Sequence, residues 1–158
     1  MKIIYIGDAN NLLKRIKSNH CSGNVEGSAL RQHIAEAMGY NLKRTKRPSR
    51  TMRIRINSKE PRQAEKRVTS FIRNGKWRII TLSNYETAYD FQWFAIDKLR
   101  PLLNRKSKDY IQTNVALYTS FLKSLKNSSL LDYENVINIE PKPGVYIFYH
   151  TLNPKEYK

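Results

Sequence analysis

The chain has 158 residues, 40% of them hydrophobic, one cysteine and a formal net charge of +16. That length supports one domain (1–158) with a real core. No apolar run approaches a membrane span, the lone Cys21 excludes a disulfide framework or a cysteine-based zinc cluster, and the N-terminal Met-Lys-Ile-Ile-Tyr-Ile-Gly is too short for a signal peptide. A reducing cytoplasm is the expected compartment.

In chain order, residues 2–6 (KIIYI) read as a strand that Gly7 ends. Asn10 or Asn11 can cap a helix over roughly 11–18, with Leu12, Leu13 and Ile16 on its buried side. A helix opens at Gly27-Ser28 and runs to about Met38, with Gly39 as its stop. A basic run, Leu42 to Arg50, follows and reads as an insertion over 42–57, with a short strand at Thr51–Ile56. Glu60 to Asn74 is a helix with Pro61 in its first turn and an apolar stripe of Ala64, Val68, Phe71 and Ile72. Trp77–Leu82 reads as a strand. Ser83 or Asn84 caps a helix over about 85–99, stopped before Pro101. Residues 105–142 read as a connecting segment holding one longer helix near 110–126. A final strand runs from Gly144 to Tyr149.

Charge is uneven along the chain. Residues 41–80 carry fourteen Lys and Arg against two acids, Glu60 and Glu65. Such an excess releases counterions from a polyanion and points to nucleic acid, contacted by Lys43, Arg44, Lys46, Arg47, Arg50, Arg53 and Arg55. Pro48 and the lack of large apolar residues speak against a membrane-surface helix.

The two chain ends carry a divided pattern. Pro143-Gly144-Val145-Tyr146 stands near the C-terminus, and Tyr5-Ile6-Gly7 stands near the N-terminus, followed by a segment ending on Arg15. Read with the C-terminal piece first, these resemble the GIY and YIG elements of the GIY-YIG nucleases, in circularly permuted order. Sixteen residues, from Ile147 through Lys158 and Met1 to Ile4, would separate the two tyrosines. Ser28–Ile34 is similar to the family's following helix, and Ala88–Asn104 to its closing helix and P-x-x-N turn. The resemblance implies an α+β fold, with a small three-stranded antiparallel sheet flanked by helices. It also implies DNA cleavage with one divalent cation, Mg²⁺ or Mn²⁺.

On that resemblance Tyr146 is the general base for water, and it needs nearby positive charge because an ordinary tyrosine titrates near pH ~10. Tyr5 positions water or phosphate. Arg15 offers a charged donor fork to phosphate oxygens. Lys2 is placed by alternation on the face of Ile4 and Ile6, opposite Tyr5, and carries modest weight. Arg31 is either a phosphate contact or a helix-surface charge. His20 lies five residues after Arg15, where the family often places a histidine four after. Gly144, Gly7 and Asn104 are structural. The metal position falls on Gln92, nine residues before Pro101, where the family has a glutamate. An amide still offers an oxygen but has lost the charge that a hard cation favours. Asp90, Asp97 and Glu86 lie on other helical faces or too far along to replace it.

The leading expectation is a restriction-type DNA endonuclease, weakened or disabled at Gln92. A homodimer on DNA, or two successive nicks, would cut both strands. The alternatives are a catalytically inactive nucleic-acid-binding protein of the same fold and a basic RNA-binding or ribosome-associated protein.

Overall fold

The computed structural model describes residues 1–157; Lys158, on the expected loop between the chain ends, lies outside them. The chain folds as α+β. Five strands form two sheets: β1 (Lys2–Ala9), β2 (Asn41–Lys46), β3 (Met52–Asn57), β4 (Lys76–Thr81) and β5 (Gly144–His150). Four α-helices accompany them: α1 (Ala29–Ala37), α2 (Pro61–Arg73), α3 (Tyr85–Leu99) and α4 (Val115–Asn127).

The main sheet is antiparallel in the order β1-β5-β4, so strands from opposite chain ends are neighbours. Their ladder runs from Lys2 opposite His150 to Ala9 opposite Gly144. β5 is central and apolar throughout (GVYIFYH), as suits a strand covered on both faces. Cross-strand partners share a face. One face of the sheet carries Tyr146, Phe148 and Trp77 and packs with Leu12, Leu30, Val68 and Phe71. The other carries Ile6, Val145 and Ile147 and packs against α3 and α4 through Phe91, Phe94, Tyr118 and Leu125. Cys21 is buried, and burial pushes its thiol up to about 12.

Several expected boundaries shift. β1 does not end at Gly7 but continues to Ala9. A bulge between Ile3 and Tyr5 breaks strict alternation, placing Ile4 and Ile6 in cores on opposite faces. The same bulge returns Lys2, opposite His150, to the parity of Tyr5, opposite Phe148. The basic run is not all loop: 41–46 forms β2, paired with β3. The helix expected from 110 begins at Val115, after a 3₁₀ turn at Gln112–Asn114. α3 matches its expected span, with the Asn84 side chain accepting from Thr87 N as its cap.

Candidate nuclease site

Gly7 sits opposite Tyr146 in the β1–β5 ladder. A Cβ at residue 7 would collide with the Tyr146 hydroxyl and ring, so the missing side chain is what lets the phenol lie across β1. At Gly144 a Cβ would meet the Ile80 carbonyl and Leu12, so that close approach also needs glycine. Asn104 acts as a one-residue strand on the outer edge of β1. Its Oδ1 accepts from Ile6 N and its Nδ2 donates to Ile6 O, both at 2.9 Å. These bonds fix the backbone between Tyr5 and Gly7.

Tyr146 is 2% exposed. Its hydroxyl lies 2.6 Å from His20 Nε2, and His20 Nδ1 lies 2.6 Å from Ser28 Oγ. The five-residue offset from Arg15 has a structural cause. Lys14–His20 is a π-helix, closed by Cys21 N donating to Ile16 O at 2.9 Å. Bonding from i to i+5 widens the turn, so a residue five positions on takes the place that four positions reach in an α-helix. His20 therefore reaches Tyr146, while Asn19 does not.

Electrostatics depart from expectation at Tyr146. Burial raises its hydroxyl well above the ordinary value, outweighing the favourable field of Arg15. Burial, reinforced by Arg15 and Arg31, holds His20 well below the usual imidazole range. The pair is thus a neutral phenol beside a neutral imidazole. Tyr5, whose ring stacks on Tyr146 with centroids 6.4 Å apart, is likewise raised by burial. Arg15 N donates to Asn11 O at 3.0 Å, while its guanidinium makes no hydrogen bond or ion pair among the described residues.

Gln92 is buried on α3 and donates through Nε2 to Asp8 Oδ2 at 2.8 Å. Asp8, absent from the expected set, stands near the end of β1. Burial raises its carboxyl, while a bond from Tyr85 and the field of Arg15 lower it. The sequence reading passed over Asp8 because it ended the strand at Gly7; β1 runs on and places residue 8 on the α3 face with Ile6. Among the described residues, no group of three or more His, Cys, Asp or Glu gathers to hold a metal ion. The Asp8 carboxylate is nevertheless a hard donor of the kind Mg²⁺ and Mn²⁺ take alongside water, and the Gln92 amide, which here turns its nitrogen to Asp8, carries a second such oxygen.

Other expected residues separate clearly. Arg31 is not an interface group. It is 0% exposed, bonds Glu65 Oε1 at 2.8 Å and donates to His20 O at 3.0 Å. Lys2 lies about 10 Å along the strand from Tyr5 and faces Glu156 at 3.9 Å. Arg47 and Arg55 are both tied to Glu26, at 2.9 and 3.0 Å, and anchor the β2–β3 hairpin. Lys43, Arg44, Lys46, Arg50 and Arg53 remain exposed. Arg44, Arg105 and Lys106 line a cleft of about 380 Å³ together with Tyr5 and Gln92.

No helix is long and apolar enough to cross a membrane among the described residues. The family model described as the GIY-YIG catalytic domain matches residues 1–129. β5, with Gly144 and Tyr146, lies beyond that match. No curated protein and no solved structure matches the chain. With the match spanning most of its length, the chain belongs to the GIY-YIG catalytic domain family, whose function is of the nuclease type.

Proposed function

We propose that the chain is a DNA endonuclease of restriction type, circularly permuted, whose rate is lowered by the amide at Gln92. The observation that carries the reading is the 2.6 Å contact between Tyr146 and His20, held over Gly7. Permutation is supported by the pairing of β1 with β5 across the chain ends.

The Tyr146 hydroxyl donates a hydrogen bond to His20 Nε2, which leaves the lone pairs of its oxygen for a proton from water. As the water oxygen bonds to phosphorus and the bond to the leaving oxygen breaks, the water proton passes to Tyr146 and the phenol proton to His20. Ser28 Oγ accepts from His20 Nδ1 and fixes the tautomer. Arg15 neutralises the charge that grows on the phosphoryl oxygens. Tyr5 orients the phosphate in the cleft, and the exposed cations of the β2–β3 hairpin hold the duplex beside it. Gln92 would hold a divalent cation, whose charge would neutralise the leaving oxygen when it is bound. A second copy on the same duplex would cut the opposite strand.

The test is plasmid cleavage with Mg²⁺ by the chain as given and by the Gln92→Glu variant. Faster cleavage by the variant is expected, abolished again by adding Arg15→Ala or Tyr146→Phe. Retained DNA binding without cleavage by either chain overturns the reading in favour of an inactive binding protein.

A further inference from the structure

The β1 strand runs two residues past Gly7 and so delivers a carboxylate to the place where α3 has none. Asp8 Oδ2 and the Gln92 amide stand 2.8 Å apart. Two donors in adjacent positions around a cation with bonds of about 2.0–2.1 Å are separated by about 2.9 Å. Turning the amide over brings Oε1 to the position that Nε2 now holds. A cation between the two oxygens would then replace the hydrogen bond without moving either backbone.

Other carboxylates near α3 are committed elsewhere. Asp90 accepts from the Tyr118 hydroxyl at 2.5 Å and from Ile111 N at 3.1 Å, facing α4. Asp97 accepts from the Tyr110 hydroxyl at 2.7 Å. Glu86 is exposed in the first turn of the helix. Asp8 also shares its surroundings with Arg15, whose field lowers its carboxyl, and with Tyr5, whose hydroxyl it raises.

We propose that Asp8 supplies the cation-binding carboxylate of this site, so that Mg²⁺ or Mn²⁺ binds between Asp8 Oδ2 and Gln92 Oε1. This deepens the nuclease reading and rests on it for the role of the ion. The carboxylate moves from helix to strand, and the amide left on α3 serves as the second donor.

Paramagnetic broadening of amide resonances by substoichiometric Mn²⁺ tests the site without any turnover. In the full chain, residues 7–10 and 91–93 are expected to broaden first. Asp8→Asn, which keeps the shape of the side chain, should need at least tenfold more Mn²⁺ for equal broadening, and Gln92→Glu should need less. Unchanged broadening in Asp8→Asn, or none at these residues in the parent, overturns the proposal. Cleavage by Gln92→Glu separates the two claims. If that variant cuts while Asp8→Asn alone leaves the Mn²⁺ broadening unchanged, Asp8 is not the carboxylate, while the nuclease reading stands. If Mn²⁺ maps to Asp8 and Gln92→Glu never cuts, the site stands and the nuclease reading falls.

Discussion

Gly7→Ala tests the packing that holds the candidate site together. The added Cβ would overlap the Tyr146 hydroxyl and ring carbons, so the phenol must swing away from β1. Doing so breaks its 2.6 Å contact with His20 inside the protein. A buried donor or acceptor left unpaired costs about 1–3 kcal/mol, and forcing a methyl into a packed interior costs about 1–3 kcal/mol more. The expected loss is therefore about 2–6 kcal/mol, which for a chain of this size lowers the melting temperature by about 4–24 °C. Urea unfolding would measure it, with Tyr146→Ala as the second background. Once the ring is gone, Gly7→Ala should lose most of its effect, because nothing remains for the Cβ to meet. A change below about 0.5 kcal/mol in the parent, the size of an ordinary surface substitution, would refute the argument. So would an equal change in both backgrounds.

Four further outcomes are expected. Arg31→Ala should act on folding rather than on binding. Removing one partner of a buried pair costs about 3 kcal/mol or more, so urea stability should fall while DNA affinity of the folded chain holds; selective loss of affinity would contradict its burial beside Glu65. Burial keeps His20, His33 and His150 below the ordinary imidazole value. The unfolded chain then takes up more protons below about pH 6.5, so the stability these groups contribute is present above that pH and lost as pH falls toward their folded values. A melting temperature that stays flat from pH 8 to pH 5 would show the linkage to be absent. Replacing Lys43 or Arg53 by alanine should weaken duplex binding for all sequences and reduce the salt slope by about 1 each. Arg47→Ala and Arg55→Ala should instead loosen the hairpin by freeing Glu26, which proteolysis of residues 41–57 would detect.

Helix α3 was legible because Asn84, the apolar spacing after it and Pro101 all give the same bounds. The family was legible because several short pieces between Tyr5 and Asn104 resemble its elements. β2 was hidden, since its residues are polar and exposed and the strand exists through its ladder to β3 and the tether of that hairpin to Glu26. The contact of His20 with Tyr146 was hidden by the assumption of an α-helix, for residue spacing does not announce a π-helical turn. Lys2 was misplaced for a related reason: a bulge changes parity without leaving a mark in the pattern.

The sequence by itself determined the fold class, the family and the polyanionic character of the partner. Each follows from residue type and order along the chain. Tertiary structure alone decided which charges are free and which groups meet. Arg31 and Arg53 are the same residue type. One is sealed against Glu65 and the other stands in solvent, because burial is a property of neighbours brought from elsewhere in the chain. Asp8 and Gln92 are separated by 84 positions and meet because β1 and α3 pack on each other. Their contact depends on where a strand ends, and pairing with β5 sets that end.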